Sequence, residues 1–123
     1  MKENEISFYI RKSIFSVYNE LGPGLLEKVL AFELENNGLS VKTQVPIPIN
    51  FKGILIDSSF IADIIVEDKI IIEVKAVTEI ANIHHQQVLT YLKLTGLKLG
   101  ILVNFNTDYI SKSIFRKVRG NLD

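Results

Sequence analysis

The segment Ile70-Ile71-Ile72-Glu73-Val74 constrains this chain more than any other stretch. β-Branched side chains favour a strand, and a strand that is apolar at successive positions presents apolar groups to both of its faces. Such a strand is stable only where both faces are covered, so it is expected at the centre of a sheet. One carboxylate, Glu73, interrupts the run, and burying it is costly unless it is paired or bound to a cation. Period-two alternation puts Glu73 and Lys75 on one face and Ile70, Ile72 and Val74 on the other. The strand before it, Phe60 to Val66, carries Asp63 and is joined to Lys69–Lys75 by the polar link Glu67-Asp68, as in a β-meander. Two carboxylates and an ammonium can therefore converge.

The rest of the chain supplies the covering. Ile6, Ile10, Ile14, Val17 and Leu21 recur at helical spacing, which makes Glu5 to Leu21 an amphipathic helix broken by Gly22-Pro23-Gly24. A second helix runs from Leu25 to Asn36 and ends at Asn37-Gly38. From Val41 to Phe51 apolar and polar residues alternate strictly, the pattern of a one-sided strand; Pro46 and Pro48 lack N–H donors and place it at an edge or a distortion. After the Lys52-Gly53 turn come the two strands already named. Ala81 to Leu94 reads as a helix ending at Gly96, and Leu97 to Phe105 as a last buried strand. Tyr109 to Val118 reads as a terminal helix. The expected order is α, α, β, β, β, α, β, α.

A length of 123 residues with 47% hydrophobic content fits one domain, residues 1–123, able to enclose its own core. No cysteine is present, which excludes a disulfide framework and a thiolate metal site and fits a reducing compartment. The polar start and the lack of a long apolar run indicate neither export nor a membrane span, so a cytoplasmic protein is expected. Lys plus Arg and Asp plus Glu both total 14, so any polyanion would have to be held locally rather than by net charge.

Paired carboxylates beside an ammonium are what a divalent ion and a phosphodiester would use, whereas a core has no need of them. A neutralising Glu-x-Lys pair is the plainer alternative. On the following helix Ile80, His84, Gln87 and Tyr91 trace one face, which by itself would suit solvent with Tyr91 at the rim. Glu27 lies in the first turn of the second helix, where the helix dipole alone favours a carboxylate. His84 and His85 point about 100° apart on a helix, so zinc is set aside. Gly22-Pro23-Gly24 lacks the lysine and preceding strand of a nucleotide loop, and no nucleophilic triad is visible.

Taken together these residues resemble the PD-(D/E)xK nuclease superfamily, and within it the GxxExxY family. The resemblance covers nearly the whole chain through Gly22-Pro23-Gly24-Leu25-Leu26-Glu27, Ala62-Asp63, Ile72-Glu73-Val74-Lys75-Ala76, Gln87-Val88-Leu89-Thr90-Tyr91-Leu92-Lys93 and Asn104-Phe105-Asn106. One departure stands in the family's naming motif, where Leu30 takes the place of Tyr. The resemblance implies a restriction-endonuclease-like α/β core, a mixed and mostly antiparallel four-stranded sheet flanked by helices. It implies a magnesium ion, with manganese as substitute, held by Asp63, Glu73 and the Val74 carbonyl. Lys75 would sit beside the attacking water, Glu27 would orient a water on the metal or support a second metal, and Gln87 and Tyr91 would line the site, with His84 a weaker candidate. The expected activity is hydrolysis of phosphodiester bonds, with DNA as partner and Lys12, Lys42, Lys93, Lys98, Lys112, Arg116, Lys117 and Arg119 as a pool of phosphate-binding charge. A non-catalytic nucleic-acid or protein-binding module on the same fold is the alternative, and a structure-selective resolvase working as a homodimer is a further one.

Overall fold

The computed structural model describes residues 1–57 and 60–122. Helices α1 (Glu3–Leu21) and α2 (Glu27–Asn36) lead. They are followed by strand β1 (Val41–Pro46), a small hairpin of β2 (Ile49–Phe51) and β3 (Ile54–Ile56), and strands β4 (Ile61–Val66) and β5 (Ile70–Lys75). Helix α3 (Asn82–Thr95) leads to β6 (Leu99–Asn104), a 3-10 turn at Ile110–Lys112 and strand β7 (Ile114–Val118). The main sheet has the order β1-β4-β5-β6-β7, with β5 in the middle. The β5–β6 pair is parallel and its crossover is α3, while the other pairings are antiparallel. This is a restriction-endonuclease-like α/β fold.

Each face of the sheet has its own cover. Ile6, Ile10 and Ile14 of α1 and Leu30 and Leu34 of α2 pack against Ile70, Ile72, Val74, Ile101 and Val103. On the opposite face Tyr91 and Leu92 of α3 meet Ala62, Ile65 and Ile71. Every side chain of the Ile70–Val74 run is thus buried, each large aliphatic one contributing about 1.5–3 kcal/mol. Helix α3 lies very close to β6: a Cβ on Gly100 would fall 2.4 Å from Val88 Cγ1. The β4–β5 turn places both Glu67 and Asp68 at positive φ, the backbone conformation of a two-residue turn that matches the right-handed twist of the flanking strands.

Three expectations require correction. The sheet has five strands rather than four, because the C-terminal segment is not a helix. Ile110, Ile114 and Val118 are spaced as on a helix face, yet β6 would otherwise be a long apolar edge, and β7 pairs with it from Leu99↔Val118 to Val103↔Ile114. Second, Val41–Phe51 is not one strand. The chain leaves the sheet after Pro46, where Pro46 and Pro48 cannot donate to a ladder, and Ile47 N–H turns instead to the Phe60 carbonyl at 2.8 Å. Third, β1 does not keep one face. Val41 packs under α1 and α2 whereas Val45, of the same parity, packs on the α3 side. Gln44, at φ 51°, rotates the strand between them. The edge position expected of this segment holds, since β1 ends the sheet.

Candidate active site

Strands β4 and β5 pair regularly from Val66↔Ile70 to Ile64↔Ile72, and the next opposed residues are Asp63 and Glu73. There the carboxylates take over the ladder. Glu73 Oε2 accepts the backbone N–H of Asp63 at 2.8 Å, and Asp63 Oδ2 accepts that of Val74 at 2.8 Å. Alternation also breaks here: Ala62 and Ile65 pack on the α3 side while Ile64 packs on the other. The distortion matches that of Gln44, which lies opposite Asp63 between the pairs Thr43↔Ile64 and Val45↔Ala62.

Glu73 is 2% exposed. Its burial, with the Asp63 carboxylate nearby, pushes its carboxyl up to about 7, against the pull of the Asp63 N–H and of the Lys75 ammonium. Among the described residues the ion pair in direct contact is Lys42–Asp68, and Lys75 makes none with Glu73. The bland reading, a closed Glu73–Lys75 pair, therefore does not describe this site. Lys75 Nζ instead donates to Gln87 Oε1 at 3.3 Å, and Gln87 Nε2 donates to the Tyr91 hydroxyl at 3.1 Å. Tyr91 is buried, and that burial together with the charge of Glu73 raises its phenol. Phe60 leans on the Tyr91 ring, centroids 5.6 Å apart.

Lys75 faces a cleft of about 400 Å³ along α3, with Phe60, Ile83, His84, Gln87 and Tyr91 among its walls. The face inferred from helical spacing is thus turned to the lysine rather than simply to solvent. His84 Nδ1 accepts the Ala81 N–H at 2.9 Å and caps α3. His85 diverges from it, set edge-on against Phe115 of β7. Glu27 approaches from the start of α2. Partial burial raises its carboxyl first, the neighbouring Asp63 raises it further, and Gln44, whose Nε2 donates to Glu27 Oε2 at 2.6 Å, holds it down. All the residues expected at the site, Glu27, Asp63, Glu73, Val74, Lys75, Gln87 and Tyr91, occupy one neighbourhood. Val74 enters it through its backbone, its side chain lying in the opposite core.

Two residues of this neighbourhood escaped the sequence. Gln44 gave no signal, being one polar position in a regular alternation. Asn104 stood in a matching block, and a polar residue ending an apolar strand was the available clue. It is buried, its Oδ1 accepts the Val77 N–H at 3.1 Å, and its Nδ2 donates to the Val77 carbonyl at 2.9 Å. These bonds pin the chain leaving Lys75.

The donor set is hard and oxygen-rich. Among the described residues no group of three His, Cys, Asp or Glu side chains stands close enough to hold a metal by itself. Asp63 and Glu73 each use one oxygen on a backbone N–H, Asp63 also stands within hydrogen-bond reach of the Glu27 carboxyl, and Glu73 is a buried carboxylate short of positive charge. A pair of carboxylates suits a hard divalent ion whose remaining positions are filled by water.

The fold and these charges define a nuclease-type domain, and the chain belongs to the PD-(D/E)XK nuclease superfamily, whose family model matches residues 4–117. Nucleases of that superfamily generally use divalent metal ions on nucleic-acid substrates. The chain is similar to the solved protein SSO0001, with 29% identity and a TM-score of 0.58 over 79% of this chain. That match covers 50% of SSO0001, so the chain spans about half its length. No curated protein matches. Among the described residues no helix is long and apolar enough to cross a membrane.

Proposed function

We propose that this single domain is a magnesium-dependent nuclease that hydrolyses phosphodiester bonds in DNA. The observation carrying this reading is the pairing of Asp63 and Glu73 across β4 and β5 with Lys75 on the same side, facing an open cleft. Asp63, Glu73 and the Val74 carbonyl would hold the ion, which when bound supplies positive charge against the phosphate and lowers the pKa of water. Lys75 acts beside the attacking water and donates to the phosphate oxygen that gains charge as the water oxygen bonds to phosphorus; the P–O bond to the leaving sugar oxygen then breaks, and in net terms the water's proton passes to that oxygen. Gln87 keeps the ammonium in place through its Oε1, and Tyr91 orients the Gln87 amide. Glu27, near Asp63, orients a second water or completes a second ion site.

Membership of the GxxExxY family belongs to the same proposal. Leu30, at the position of that family's Tyr, is fully buried among α1 and the sheet, which supports a packing role there.

The competing reading, a binding module without catalysis, rests on the zero net charge. It leaves unexplained why a binder would bury Glu73 without a cation partner. Purified protein with magnesium and a panel of linear, branched and single-stranded DNA and RNA tests the choice. Cleavage by the wild type, lost in Lys75→Ala with folding retained, supports the nuclease. Absence of cleavage together with absence of divalent-ion binding by calorimetry would leave the binding module.

A further inference from the structure

We infer that the α3 cleft beside Lys75 is a pocket for one unstacked nucleobase, so that the substrate enters as an unpaired strand. This rests on the nuclease reading and specifies its substrate class. The cleft holds about 400 Å³, the scale of a single nucleotide. A duplex keeps its bases stacked inside and could bring only its backbone to the opening, leaving the interior unused.

The wall chemistry suits a base. Phe60, half-buried and backed by the buried Tyr91 ring, offers an aromatic wall, and Ile83, 70% exposed, adds an apolar lip. An aromatic wall with an apolar lip attracts the flat face of any base. Gln86 and Thr90 place an amide and a hydroxyl on the same walls for the edge of that base. His84 adds a donor: its Nδ1 accepts the Ala81 N–H, which leaves the proton of the neutral ring on Nε2. Among the described residues lining the cleft none is acidic, and the one formal charge is that of Lys75. A phosphate at Lys75 would thus lie in the same cleft as the base.

Ile83 and Phe60 take no part in the proposed chemistry, so their substitution separates base capture from hydrolysis. The test uses the full chain, with magnesium, on one sequence presented as a single strand, as a blunt duplex and as a duplex with single-stranded overhangs. Single abasic sites are then moved stepwise through the cut region. The expected result is faster cutting of unpaired strand, and one abasic position at which kcat/KM drops at least about fivefold, in keeping with the loss of one base stack. Ile83→Asp and Phe60→Ala should lower cleavage of the intact strand by a similar factor and be insensitive to that abasic site. A parallel arm needs no cleavage: 2-aminopurine placed at successive positions of a short strand, with calcium replacing magnesium, should change fluorescence at one position for the wild type and not for Ile83→Asp.

A blunt duplex cut as fast as the single strand, or a flat abasic scan, overturns the inference and leaves the nuclease reading intact. No cleavage of any substrate removes the nuclease reading, and then a uniform 2-aminopurine response, or no binding of the strand, overturns the pocket as well.

Discussion

Glu73 accepts the backbone N–H of Asp63 while Asp63 accepts the N–H of Val74, so two carboxylates complete the hydrogen bonding where β4 and β5 stop pairing. The pair is therefore part of the sheet as well as part of the site. Asp63→Ala would free the Val74 N–H in a buried strand, at about 1–3 kcal/mol. Asp63→Asn keeps an oxygen acceptor and should retain most of that stability. Chemical unfolding of both variants checks this, and equal losses would mean that the carboxylate is not closing the ladder.

Among the described residues the Lys75 ammonium donates to Gln87, and its backbone carbonyl, which substitution leaves in place, accepts the Phe105 N–H. Lys75→Met should lower cleavage by roughly 10²–10³-fold, the usual effect of removing one preorganised charge stabiliser, with an unchanged circular-dichroism spectrum. Gln87→Leu should show a smaller loss, since the ammonium remains but is no longer held. A Gln87→Leu defect larger than that of Lys75→Met would assign the principal role to the glutamine.

The pH dependence of stability has a defined sign. Glu73 titrates near 7 in the folded protein against 4.5 in the free side chain. Between those values the folded state holds a proton that the unfolded chain has released. This group's contribution is therefore complete below pH 4.5 and is lost as pH rises through 7, by on the order of 3 kcal/mol for such a shift. Without metal, wild type and Glu73→Gln should unfold alike at pH 4 and diverge above it, the variant becoming the more stable. Magnesium at pH 8 should restore the wild type alone. Parallel curves across the whole range would show that the carboxylate is not penalised by its burial.

Gln44 carries a left-handed φ of 51° inside a strand, a conformation costing a side chain with a Cβ about 1–2 kcal/mol. Its hydrogen bond to Glu27 is the evident compensation. Gln44→Gly should therefore be more stable than Gln44→Ala by about 1 kcal/mol, since both lose the bond and only glycine relieves the backbone. Thermal unfolding distinguishes them, and an alanine variant as stable as the glycine one would remove the claim of strain.

The sequence displayed the parts of this protein that depend on local pattern. The Ile70–Val74 run located the central strand, the Glu67-Asp68 link gave the meander, and Gly96 closed α3, because each signal is set by a few neighbouring residues. The order of the charged blocks along the chain brought Glu27, Asp63, Glu73, Lys75, Gln87 and Tyr91 under suspicion together. Features decided at a distance were not visible. Ile114–Val118 becomes a strand only because β6 offers an unfilled edge. Gln44 looks like any solvent-facing position until β4 is laid beside it, and Asn104 shows its purpose only when Val77 arrives from another part of the chain.

Val88 stands where a methyl group on Gly100 would have to go, so the separation between α3 and the sheet is fixed by an absent side chain. Val88 is β-branched and fully buried, and cannot swing aside. A wedge of one carbon at this neutral position would tilt the helix outward, drawing Gln87 from Lys75 and widening the opening between them. How far the lysine reaches is thus governed from the far side of the strand layer's contact with α3, by a residue that no survey of charged groups would select.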